Sequence, residues 1–103
     1  MKDIIKVKIG SHTWSIRFVT KHLLNENAYA TCYSSHLAID IGNDYDKPLL
    51  ELSLTHELTH ALLAESGRIY EHQFNTEELC EFVAWNIEEI KRLKDKIIKE
   101  RLK

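Results

Sequence analysis

Residues 46–67 read as one uninterrupted helical segment with a histidine pair set into it, and that segment limits what the rest of the chain can become. Asp46 is a good N-cap, because its carboxylate can accept the unpaired N–H groups of a first turn. Pro48 suits that first turn, where its missing N–H is no loss. No proline or glycine interrupts residues 49–66, and Gly67 stands where a helix reverses into the left-handed C′ position. Leu50, Leu54, Leu58 and Leu62 form one apolar stripe, while Leu49, Leu52 and Leu63 flank His56 and His60. A helix apolar on several sides is expected to be central and buried.

The chain before this helix alternates with period two. Ile5, Val7 and Ile9 fall on one face of residues 4–9, and Trp14, Ile16 and Phe18 on one face of residues 13–19. Gly10-Ser11 lies between them, so the pair reads as a hairpin. Residues 21–27 read as loop, residues 28–33 as a short strand, and residues 36–41 as an alternating edge strand that stops at Gly42-Asn43-Asp44. A second helix is predicted from Asn75 to about residue 101, with Leu79, Val83, Ile87, Ile90, Leu93 and Ile97 as its core stripe. Strands followed by helices predict an α+β fold. The expected architecture is a small antiparallel or mixed sheet of three or four strands, then the histidine helix, then a long C-terminal helix. At 103 residues this is one domain, 1–103.

Composition narrows the function classes. The net charge of −2 is too small to imply a nucleic-acid partner. Residues 88–103 carry seven Lys and Arg against four acids, so this tail is +3 and the remaining body −5. The acidic body argues against nucleic acid binding. No apolar run approaches the ~20 residues of a membrane helix, and Met1–Lys6 lacks the continuous apolar stretch of a secretory signal. Cys32 and Cys80 are too few for a disulfide framework and form no CxxC pair, so reduced cysteines in a cytoplasmic protein are expected.

The sequence His56-Glu57-Leu58-Thr59-His60 then carries the chemistry. Histidines at i and i+4 share a helix face, so both imidazoles can reach one metal ion. Glu57 is rotated by ~100° from His56 and is expected to stand over the metal's open position instead of ligating. A carboxylate there can take a proton from water and return it to a leaving amine. One zinc per chain is the expected cofactor.

A catalytic zinc wants a third protein ligand. The spacing that would put Gly at 63 and His at 66 is absent, since Leu63 and Ser66 stand there, and no Asp lies between 47 and 94. Glu65, Glu71, His72, Glu77, Glu78 and Glu81 remain. Glu65 is about 140° from His60 on the same helix and cannot fold back. Asn75 as N-cap puts Glu78 at N3, a capping-box position, which frees Glu77 for the metal. Glu81 would then support a ligand imidazole. Glu77 is the favoured ligand, with Glu78 and His72 as alternatives.

His56, Glu57, His60, Glu77 and Glu81 match the order and spacing of the gluzincin metallopeptidases, which this chain resembles over residues 56–81 and the preceding strand. The stretch from His56 to Ile87 also looks like small phage- or prophage-encoded proteins related to ImmA/IrrE peptidases and minigluzincins. The resemblance implies a zincin-like fold, an active-site helix, a glutamate helix and an edge strand that pairs with an extended peptide substrate. It implies a zinc-dependent endopeptidase in a bacterial cytoplasm. No helix-turn-helix segment of the kind larger relatives carry is read in these residues, so a gene-regulatory role is not expected.

Tyr70, His72 and His36 are candidate donors to the oxyanion of a peptidase, each weighed against ordinary loop or strand surface. His12 and His22 are assigned no function, Trp14 and Trp85 are assigned to packing, and Cys80 to core filling. The alternative function is a catalytically weak or inactive zinc-binding module that acts by binding a protein partner.

Overall fold

A computed structural model of the chain describes residues 1–20, 24, 29–44, 46–67 and 75–103. Four strands come first: β1 (Ile4–Ile9), β2 (His12–Val19), β3 (Ala30–Tyr33) and β4 (Ala38–Gly42). Two helices follow, α1 (Lys47–Glu65) and α2 (Thr76–Arg101). The expected α+β layout is present, and the sheet is mixed. Its order is β1-β2-β4-β3, with β1 and β3 antiparallel to their neighbours and β2 parallel to β4.

The hairpin forms where the alternation placed it. Ile5, Val7 and Ile9 on β1, and Trp14, Ile16 and Phe18 on β2, are buried under the helices. Ile39 and Ile41 of β4 join them, at Cα register with Ile16 and Phe18. From α1 come Leu54, Leu58, Ala61 and Leu62, and from α2 Phe82, Ile90, Leu93 and Ile97.

The strand expected at residues 36–41 begins later and lies inside the sheet. Ser34–His36 form a single 3-10 turn, and Leu37 reverses the chain with φ of 52°. β4 then runs between β2 and β3, so β3 and not β4 is the edge strand on that side. The loop expected at residues 21–27 lies outside the described residues except Leu24, which is buried.

Both helices start at the predicted caps. The Asp46 carboxylate accepts from the Leu49 N–H at 3.1 Å, and the Asn75 side chain accepts from the Glu78 N–H at 2.8 Å. The Glu78 carboxylate reaches the Asn75 side-chain amide and not the backbone N–H of a standard capping box. Gly67 has the expected positive φ, 78°.

Four burial expectations are corrected: Trp85, assigned to packing, is 84% exposed, Cys80, assigned to core filling, is exposed, and both helices are less covered than expected. α1 is not covered on all sides: His56, Leu52 and His60 are exposed, with the buried side chains confined to the face over the sheet. In α2 only Ile90, Leu93 and Ile97 of the predicted stripe are core. Leu79, Val83 and Ile87 are 52%, 44% and 54% exposed, and the buried side chains of α2 other than Phe82 gather in its second half. Phe82 is the single buried residue in residues 75–85.

Glu65 closes the far end of α1. Its side chain is buried, and it accepts from the Ser11 N–H, the His12 imidazole and the Trp14 indole at 3.1, 2.9 and 2.9 Å. This ties the β1–β2 turn to the last turn of α1. Gly10 sits against it with φ of 59°, and a Cβ there would come within 2.7 Å of the Glu65 carboxylate. Burial alone would raise the Glu65 pKa, but the bonds from His12, Trp14 and Ser11 outweigh it and hold the carboxyl below its ordinary value. A lowered carboxylate pKa stabilises the fold above the unfolded-state value and loses that contribution as pH falls through the folded-state value. Glu65→Ala is expected to cost about 2–3 kcal/mol, mostly by leaving the buried Trp14 N–H without an acceptor. Urea unfolding at neutral pH checks this, and the difference from wild type should shrink in acid.

Candidate metal centre

His56 and His60 lie on consecutive turns of α1, ring centroids 4.9 Å apart and planes inclined by 69°. His56, Glu57 and His60 form the one group of metal-binding side chains found among the described residues, with one donor atom from each within 4.8 Å of the others. The His56 side chain is 69% exposed, whereas Glu57 is 7% exposed. Nε2 of His56 stands 3.9 Å from Oε2 of Glu57. The helix therefore offers two open imidazoles above one carboxylate held in its buried side.

The 100° step per residue explains the split. His56 and His60 fall on the outer face, and Glu57 turns toward the sheet beside Ser53 and Leu54, which are also buried. Thr55 and Thr59 sit between these faces and satisfy their hydroxyls on the carbonyls of Glu51 and Thr55, at 2.9 and 2.7 Å. They do not compete for a ligand.

Beside the group is a recess of about 200 Å³, lined by Tyr29, Ala30, Leu49, Leu52, Ser53, His56 and Glu57 and mainly apolar. It lies between α1 and the start of the edge strand β3. Cys32 lies on that strand. Burial pushes its thiol pKa up, the Ser34 hydroxyl draws it down, and the negative charge of Glu57 adds to the rise. Cys32 lies outside the donor group.

The remaining candidates divide. Glu77, Glu78 and Glu81 are exposed on the first turns of α2 and are not in the group. Glu78 is occupied in the helix cap. Glu65 is excluded as a ligand by its network to the hairpin, which no spacing in the sequence announces. His36 lines a different recess with Lys6, Ser15, Arg17 and Tyr33. Tyr70, Glu71, His72 and His22 lie outside the described residues. The recess beside Glu57 was not legible either, since Tyr29 and Ala30 carry no motif.

The His56–Glu57–His60 group could hold a metal ion. Two imidazoles are donors a borderline metal such as zinc takes, and the i, i+4 pair is already side by side. The described helices include none long and apolar enough to cross a membrane. No protein-family model matches the chain, and neither a curated protein nor a solved structure is significantly similar to it.

Proposed function

We propose that this chain is a zinc-dependent peptidase of zincin-like build, with His56 and His60 as metal ligands and Glu57 as general base. The observation that carries the reading is the pair of exposed imidazoles over the buried Glu57 carboxylate, at the mouth of an apolar recess beside β3. Glu77 is the proposed third ligand, which requires the first turn of α2 to meet the histidine face of α1.

Zinc, when bound, supplies Lewis acidity that polarises the carbonyl under attack and makes water easier to deprotonate. The chain supplies the rest. Glu57, fixed in the helix and largely shielded from solvent, takes the proton of the attacking water and passes it to the leaving amine. β3 has a free edge among the described strands and can pair with an extended peptide. The apolar recess can hold one side chain of that peptide and exclude water around Glu57.

The test is metal content with peptide turnover assayed alongside. Wild type is expected to hold one zinc per chain, and His60→Ala to hold none and to be inactive. Stoichiometric zinc in Glu77→Gln but not in Glu78→Gln would move the third ligand to Glu78. Full zinc retention in His60→Ala would dismiss the centre altogether.

A further inference from the structure

Residues 76–88 of α2 carry an apolar surface that neither the metal centre nor the core uses. At 100° per residue, Leu79, Cys80, Val83, Ala84 and Ile87 fall within an arc of about 140°. All five are exposed. Apart from Phe82, the buried apolar residues of the helix, Ile90, Leu93 and Ile97, lie further along it. An uncharged strip two turns long on the extended half of a helix marks an interaction surface.

We propose that a second copy of this chain covers it, the two α2 helices packing antiparallel about a dyad between Val83 and Ala84. The strip is self-complementary in that register. Ile87 of one copy faces Cys80 of the other, and Val83 faces Ala84, so a large side chain meets a small one at these two central steps, with Leu79 at the rim level with Glu88 of the other copy. Charge selects the same arrangement. Glu77 and Lys91 are exposed at opposite ends of the strip and on the same flank, about 40° apart around the helix. Antiparallel pairing sets Lys91 of each copy beside Thr76 and Glu77 of the other, twice by symmetry. Parallel pairing would set like charge on like.

The strip is short, and stable interfaces bury about 800 Å² per partner, so a reversible dimer in the micromolar range is expected. The readout is mass, which does not depend on whether the chain is a peptidase. Because Glu77 is also the proposed third ligand, the mass is read first on the chain as isolated, and the charge variants are then compared in chelator once circular dichroism shows the stripped chain still folded. Sedimentation equilibrium from about 1 µM to about 500 µM is expected to move from 12.1 kDa toward twice that mass. Val83→Glu should weaken the dimer by about 100-fold or more while leaving circular dichroism and melting unchanged, since Val83 is outside the core. Lys91→Glu should weaken it by about tenfold, and Glu77→Lys combined with Lys91→Glu should recover it. Monomer mass at every concentration overturns the proposal, as does a dimer that survives Val83→Glu. A double charge reversal that stays as weak as Lys91→Glu overturns the antiparallel register.

Discussion

Glu57→Gln is expected to keep zinc and fold and to lower peptide hydrolysis by about 10³–10⁴-fold, in the range that a general base contributes. Glutamine has nearly the same shape and keeps one carbonyl oxygen, so the buried side of α1 stays packed. It cannot accept a proton from water at neutral pH. The His56 and His60 imidazoles, which stand on the other face, remain available to the metal. Single-turnover hydrolysis of a peptide library, normalised to bound zinc, is the measurement. Glu57→Asp is the companion variant. It keeps the base but withdraws it by one methylene, and it should fall between wild type and Gln. Turnover in Glu57→Gln equal to wild type would remove Glu57 from the chemistry.

Removing the metal is expected to produce the largest change in stability. Metal that binds only the folded chain adds about 4 kcal/mol at a thousandfold excess over its Kd. For a domain this small, that corresponds to a melting shift of about 15 °C or more. The effect tests the third ligand as well. His56 and His60 alone would tie the metal to α1, whereas Glu77 would tie α1 to the otherwise exposed start of α2. Glu77→Gln is therefore expected to reduce the zinc-dependent part of the melting shift, with little effect in chelator. Lowering the pH should diminish the zinc effect in wild type, because protons compete with metal for the imidazoles. A chelator that leaves the neutral-pH melting temperature unchanged would show that no tightly held metal stabilises the fold.

The local elements were legible because each rests on neighbours in the chain. Alternation located β1 and β2, and Asp46, Pro48, Gly67 and Asn75 located the helix ends within a residue. These signals are steric or capping effects that act over one turn or one hairpin. Strand order was not legible. β2 pairs in parallel with β4, and β3 takes the edge, through contacts that no period in the sequence encodes. The boundary of β4 was misplaced for a related reason. Ser34–His36 close a tight turn and Leu37 takes a left-handed φ that a leucine pattern does not suggest.

Burial along α2 separates the two kinds of information most clearly. The apolar spacing from Leu79 to Ile97 is continuous, so the sequence by itself determined that a long amphipathic helix forms and which side of it is apolar. Which part of that helix is covered is a tertiary fact, and Leu79, Val83 and Ile87 stand outside the core. The group at His56, Glu57 and His60 divides the same way. The i, i+4 spacing determined that His56 and His60 stand together, since helix geometry alone sets that distance. Only the tertiary structure decided that Glu57 is the shielded member, that an apolar recess opens beside it, and that Glu65 holds the hairpin instead of a metal. Burial and long-range hydrogen bonds depend on which surfaces meet, and those surfaces come from residues 40 to 50 or more positions apart in the chain, such as Trp14 and Glu65.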